Sequence, residues 1–180
     1  MRAESPQPVK YFIGALYSDA KLLEDAIALC WDQIGEVDLM GEPFPFTATH
    51  YYDDEMGTPI YRKFFSFKSL LDPGALGRLK NICNEIEDEL SIDGKRRVNL
   101  DLGYLDLHKM VLASAKYNGQ KIYVSDGIYA DLTLVFENGD FHPVDNTFPD
   151  FKSGAYNPVF IEYRERLKQQ LRALPIDQSE

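Results

Sequence analysis

Cysteine is scarce: Cys30 and Cys83 are the only two in 180 residues. They form no CxxC pair and no zinc-spaced cluster with histidine, which excludes a disulfide framework, a thioredoxin-type redox motif and a zinc finger as organising features. Both fall on apolar faces of predicted helices, where a thiol behaves as a small hydrophobe. No apolar run approaches 18 residues, and the opening MRAESPQPVKYF lacks the apolar segment of a signal peptide, so a reduced, cytoplasmic protein with no membrane association is expected. Basic side chains are few beside acidic ones, 19 against 29, for a net charge of -10. That balance argues against duplex nucleic acid as a partner, because phosphate binding needs a basic footprint. The GxxxxGK[ST] phosphate loop, the GxGxxG fingerprint and the GxSxG elbow are all missing. Neither His50 nor His142 is followed by Thr two residues on, so the paired HxT signature of RNA-ligase-like phosphoesterases is missing as well.

What remains is an ordinary globular composition, 44% hydrophobic and 27% charged, at a length suited to one domain. Residues 1–8, with Ser5, Pro6 and Pro8, read as a disordered N-terminus. Residues 9–174 read as a single α+β domain and 175–180 as a polar tail. Val9 to Tyr17 is a buried-strand run. Ser18 or Asp19 caps a helix to about Ile34, with Leu23, Ile27, Cys30 and Ile34 on one stripe. Glu36 to Met40 alternates as a strand, and a long Pro- and Gly-containing loop fills 41–59. Ile60 to Phe67 is the next strand, with Arg62 and Lys63 inside it. Asp72-Pro73 opens the clearest helix, with Leu76, Leu79, Cys83, Ile86 and Leu90 at three-four spacing. Val98 to Leu102 is a short strand. Asp106 then caps a predicted helix from Leu107 to about Lys116. Strands follow at Lys121 to Ser125, Ile128 to Phe136 and, after the Asn138-Gly139 turn, Phe141 to Val144. Asn157-Pro158 starts a last helix. The first six elements fit a ferredoxin-like split βαβ core with helices on one face of an antiparallel or mixed sheet, extended by a C-terminal helix, β-hairpin and helix.

The chemistry concentrates between Lys95 and Leu134. With Val98, Leu100 and Leu102 facing the core, Arg97, Asn99 and Asp101 lie on the other face, where they suit a polar ligand or phosphate, or else a solvated outer face. On the predicted Asp106 helix, Lys109 and Lys116 project from one side past small Ala113, as phosphate contacts or as surface lysines. Lys109, if desolvated, is a candidate base. Tyr123 and Asp126 flank a turn whose Asp-Gly is also a hairpin signal. Asp131 sits inside a strand, where Asp is disfavoured. In the strand from Ile128 to Phe136, Ile128, Ala130, Leu132, Leu134 and Phe136 share one expected face, with Tyr129, Asp131 and Thr133 on the other. The loop HYYDDE from His50 to Glu55 reads as an acidic lid, since its spacing matches no standard metal-ligand set. Candidate catalytic residues are therefore Asp101, Lys109 and Asp131. Candidate ligand contacts are Arg97, Asn99, Lys116, Tyr123, Asp126 and His50, with no metal site assigned and the cofactor open.

Several stretches together carry a resemblance: PVKYFIGALYSD, GEPFPF before a Tyr-Tyr-acidic-Met-Gly loop, KRRVNLDLGYL, and KIYVSDGIYADLTL with the closing FPDF. Across roughly Pro8 to Leu171 the chain resembles the bacterial family called domain of unknown function 4416. It departs from the family's NLDPGY form at Leu102, which stands where proline is expected. The resemblance implies one bacterial domain and brings no activity with it. From the residues, a small-ligand-binding protein or enzyme acting on a phosphorylated or nucleotide-like ligand is expected. The alternative is a non-catalytic interaction module using a sheet edge or the aromatic loop from Phe148 to Phe160, with homo-oligomerisation open.

Overall fold

A computed structural model describes residues 3–174; the expected polar tail lies outside the described residues. Its centre is one open sheet of nine strands, antiparallel throughout. In chain order they are β1 (Lys10–Tyr17), β2 (Val37–Met40), β3 (Phe44–Pro45), β4 (Tyr61–Phe67), β5 (Val98–Leu105), β6 (Lys109–Ser114), β7 (Ile122–Ser125), β8 (Ile128–Glu137) and β9 (Asp140–Pro143). The main path across the sheet runs β2-β4-β1-β5-β6-β8-β7, with β3 beside β4 and β9 beside β8.

Helices cover both faces: the first two long helices share one face, as expected, and the C-terminal helices cover the other. On one face lie α1 (Ala20–Gln33) and α3 (Leu76–Glu89), whose Leu23, Cys30, Leu79, Cys83 and Ile86 meet Tyr11, Ile13, Phe65, Val98 and Leu100 of the sheet. On the other lie α4 (Pro149–Lys152) and α5 (Asn157–Ala173), whose Phe151, Phe160, Tyr163 and Leu167 pack on Phe12, Phe64, Met110 and Leu134. A sheet buried on both faces needs apolar residues at successive positions, which is why β1 is free of polar side chains other than tyrosine hydroxyls after Lys10, a buried ammonium paired with Asp38 at 2.8 Å. Asp19 caps α1 through the backbone N–H groups of Lys21 and Leu22. Asp72 caps a 3-10 turn at Pro73–Ala75 that leads into α3. The 41–59 connection holds β3 and the short α2 (Asp53–Met56). No helix among the described residues is long and apolar enough to cross a membrane.

The predicted Asp106 helix is the main misreading. Lys109–Ser114 is strand β6, joined to β5 by a tight turn in which the Asp106 N–H donates to the Lys109 carbonyl at 3.0 Å. The Asp106 carboxylate accepts from the N–H groups of His108 and Lys109. A helix N-cap makes the same two bonds, and here that side-chain chemistry opens a hairpin turn instead of a helix. What favours a strand here is burial on both faces: Met110 and Leu112 enter one core and Val111 the other.

The expected facing of β8 is also overturned midway. Met110 pairs with Leu134 and Val111 with Leu132, leaving Thr133 as an extra residue in the ladder. This bulge moves everything before it to the opposite face. Asp131 is consequently 3% exposed and Leu132 is 40% exposed, the reverse of what their hydrophobicity would choose.

Candidate functional site

β5 and β6 pair only from the hairpin turn as far as Gly103 opposite Leu112. Beyond that point β5 continues on β1 down to Val98, and β6 continues on β8 to Ser114, so the sheet parts. Gly103 pins the last rung, since a Cβ there would meet the Val111 carbonyl at 2.7 Å and Leu112 Cδ2 at 2.8 Å. In an antiparallel strand alternate residues aim their backbone groups at alternate neighbours. Leu100 therefore presents its N–H and C=O to the strand that has gone. Helix α3 supplies replacements. The Glu87 carboxylate accepts from the Leu100 N–H at 2.7 Å, and the Lys80 ammonium donates to the Leu100 carbonyl at 2.8 Å. The two side chains are 3.3 Å apart and both are buried. Burial is the largest influence on the Lys80 ammonium and pulls it towards neutrality, but the Glu87 charge and hydrogen bond, with Cys83 and Asp101 nearby, together outweigh it and hold the pKa above its ordinary value. Two charged residues one heptad apart thus take the place of one rung of β-sheet.

A cavity of about 540 Å³ fills the parting, within the usual size range of small-molecule sites. One wall is the end of β6 and its continuation, Ala113 to Lys116. The opposite wall is Asn99 and Asp101 of β5, with Arg62 of β4 beyond them. Lys80, Asn84 and Glu87 of α3 close one end, and Phe46, Tyr51, Tyr52, Phe148 and Phe151 bring aromatic surface from two loops.

The polar side chains on the β5 side form one connected chain. The buried Arg62 guanidinium lies over Gly14, where a Cβ would come within 2.9 Å of Nη1. Its Nη1 donates to the Gly14 carbonyl at 3.2 Å and to Asp101 Oδ2 at 2.9 Å. Its Nε stands 3.1 Å from Asp150 Oδ2. Burial alone would lower the Arg62 pKa, and the Asp101 and Asp150 charges more than offset it. Burial raises the Asp150 carboxyl above its usual range, against the pull of Arg62. Asn99 donates to Asp101 Oδ1 at 2.8 Å and accepts from Arg96 Nη1 at 3.0 Å. Arg96 grips Glu55 of α2 through Nε at 2.8 Å and Nη2 at 2.9 Å, and reaches Glu87 at 3.4 Å. Burial, with Asp101 nearby, pushes the Tyr52 phenol up to about 12, so it stays protonated and able to donate. Across the cavity, Asp131 stands 3.6 Å from the Lys121 ammonium, which also donates to Ser114 Oγ at 2.9 Å. Lys116 has no carboxylate within ion-pair distance among the described residues; its ammonium lies 5.4 Å from the centre of the Tyr51 ring.

Of the residues expected to act, Asn99, Asp101, Lys116 and Asp131 line this one cavity. The others do not. Arg97 precedes β5 and is not among the lining residues; its Nε is buried without a hydrogen-bond partner. Lys109 is tied to Asp106 at the far end of the hairpin and borders a smaller hollow with Tyr104 and His108. A strand turns residues by about 180°, so the helical argument that placed Lys109 beside Lys116 fails. Tyr123, on edge strand β7, is 59% exposed and packs edge-on against Tyr129. Asp126 has φ of 52° and, with Gly127, makes the β7–β8 turn. His50 is 94% exposed and pairs with Asp53, while its neighbours Thr49, Tyr51 and Tyr52 face the cavity. No group of three or more His, Cys, Asp or Glu side chains is placed to hold a metal ion among the described residues.

Sequence reasoning missed Arg62, Lys80, Glu87, Arg96, Lys121 and Asp150. Signals existed for three of them. Lys80 and Glu87 each sit next to an apolar-stripe residue of α3, Leu79 and Ile86, so burial of both was legible. Arg62 alternates with Phe64, and Gly14 within the apolar β1 run marked a close approach.

A family model described as a domain of unknown function, DUF4416, matches residues 7–167, and the chain belongs to that family. No curated protein and no solved structure matches it.

Proposed function

We propose that this DUF4416 protein binds a small polar ligand with an anionic group, of phosphorylated or nucleotide-like character, in the cavity between β5 and β6. The observation that carries the reading is that cavity itself, held open by Lys80 and Glu87 where sheet pairing would otherwise close it. Most cations around it are already matched by carboxylates: Arg62 by Asp101 and Asp150, Lys80 by Glu87, Arg96 by Glu55 and Glu87, and Lys121 by Asp131. Lys116 is the cation left for an incoming anion, and the ligand's charge is accordingly small. Tyr51 and Phe148 offer ring faces at the mouth. Asp101 and Asp131 are hydrogen-bond acceptors on opposite walls, and any proton transfer falls to them.

The test is thermal-shift and calorimetric titration with ribose 5-phosphate and the uridine and inosine 5′-monophosphates. At least one raises the Tm of the parent protein, and Lys116→Ala weakens that binding by about ten-fold, the worth of one charge-assisted hydrogen bond. A flat response to all of them, with Lys116→Ala indistinguishable from the parent, overturns the proposal.

We also infer that β1, α1, β2, β4, α3 and β5 constitute a ferredoxin-like split βαβ core. The order β2-β4-β1-β5, antiparallel at every step, supports this. As for an interaction role, the aromatic loop is poorly suited to it: Phe151, Tyr156 and Phe160 are core residues and only Phe148 is exposed. The β7 edge, where Ile122 is 72% exposed, is the surface that favours that second reading.

A further inference from the structure

We infer that the uncharged part of the ligand is a polyhydroxylated ring, a sugar or cyclitol whose hydroxyl groups donate to Asp101 and Asp131 on opposite walls, so that the cavity takes a sugar phosphate. This rests on the binding reading above and names the class of ligand within it.

The strand pairing puts the two carboxylates on one face of the sheet. Residues directly opposite each other on antiparallel strands share a face. Asp101 lies opposite Gly14, where a Cβ would meet the Phe64 ring of the core under α5 at 2.8 Å. Asp131 lies opposite Leu112, which enters that same core. The strand order β5-β6-β8 places Asp101 on one side of the parting and Asp131 on the other, and both line the cavity.

Both carboxylates have acceptor capacity that the protein leaves unused. An ionised carboxylate offers about four lone-pair sites. Asp131 is 3% exposed, yet only the Gln120 amide donates to it, at 3.4 Å, and the Lys121 ammonium at 3.6 Å lies beyond hydrogen-bond reach. Buried polar groups are normally well bonded, so the missing partners of Asp131 arrive with an occupant. Asp101 accepts one bond on each oxygen, from Asn99 and Arg62, and its side chain is 32% exposed. Tyr52 also lines the cavity, and its hydroxyl makes no hydrogen bond among the described residues.

The donors that complete these groups are neutral and point in several directions. A cationic donor would meet Arg62 beside Asp101 and Lys121 beside Asp131. Phosphate and carbonyl oxygens have no proton to donate. A neutral heterocycle carries its N–H donors along one edge and serves one wall. A sugar ring carries hydroxyls around its circumference, and each hydroxyl can donate to one group while accepting from another. Such a ring donates to Asp101 and Asp131 together, accepts from Tyr52, and leaves its phosphate for Lys116.

The test is calorimetric titration with ribose 5-phosphate, glucose 6-phosphate and inositol 1-phosphate. The comparison probes are the uridine and inosine 5′-monophosphates and cyclohexylmethyl phosphate, which keeps a six-membered ring and the phosphate but has no ring hydroxyl. At least one sugar or cyclitol phosphate binds, at least about ten-fold more tightly than cyclohexylmethyl phosphate. Asp101→Asn weakens that binding by about ten-fold, and Tyr52→Phe, which keeps the ring and its packing, by about three-fold. Equal affinity for the hydroxylated and hydroxyl-free phosphates, binding of a nucleotide without binding of any sugar or cyclitol phosphate, or affinity unaltered in both variants overturns this inference and leaves the binding reading standing. No binding by any of the probes overturns both.

Discussion

Removing the Lys80–Glu87 pair tests whether α3 substitutes for a strand. An ordinary buried ion pair can often be replaced by apolar residues of similar volume at no loss, because the desolvation penalty disappears with the charges. This pair differs, since it also satisfies the N–H and C=O of Leu100 at 2.7 and 2.8 Å. Lys80→Met leaves the buried Glu87 with Arg96 at 3.4 Å as its remaining counter-charge, and breaking a buried pair in this way costs about 3–5 kcal/mol. The double variant Lys80→Met/Glu87→Leu has no stranded charge, but it orphans two buried backbone groups at about 1–3 kcal/mol each. The expected loss is about 2–6 kcal/mol, with no return to parental stability. Urea unfolding followed by circular dichroism measures this directly; at m values of about 1–3 kcal/mol per molar, the midpoint falls by about 1 M or more. A double variant as stable as the parent would show that the Leu100 groups find other partners, and the argument for a strand surrogate would be refuted.

Three further outcomes follow from particular contacts. Gly103→Ala places a Cβ 2.7 Å from the Val111 carbonyl; neither backbone can yield without opening the hairpin, so a loss of about 1–3 kcal/mol is expected by thermal denaturation. Glu55, whose pKa is lowered by its hydrogen bonds to Arg96, contributes stability that is fully present above the unfolded glutamate pKa and is lost as pH falls through the depressed folded value. Glu55→Gln should therefore be less stable than the parent at pH 7, and the gap should close on acidification; a pH-independent gap in urea midpoints would contradict the assignment. Leu132→Ser, on the exposed side of the β8 bulge, is expected to change stability by no more than about 0.5 kcal/mol, whereas the facing read from sequence alone makes it a core deletion of several times that size.

Much of the fold is local in origin and was legible in the chain. The apolar run of β1, the Asp19 cap, the three-four stripe of α3 and the Asn138-Gly139 turn each follow from interactions within a few residues, and all appear where the residues require them. The segment from Asp106 to Lys116 does not follow in that way. Its capping chemistry suits a helix start or a hairpin turn equally, and the choice is made by burial between two cores that local sequence does not reveal. The bulge at Thr133 is similar: a single unpaired residue exchanges the environments of Asp131 and Leu132, and only the partner strand decides where it falls. The candidate site depends on such decisions almost entirely. The sequence by itself determined the helical and strand segments outside Asp106 to Lys116, the acidic composition and the presence of charged residues within apolar patterns. Tertiary structure alone decided that β5 and β6 separate after Gly103 and that Lys80 and Glu87 reach across to Leu100. It also decided that Asp101 and Asp131 face one hollow, because each of these is a contact between residues far apart in the chain whose energy exists only once the sheet has closed around them.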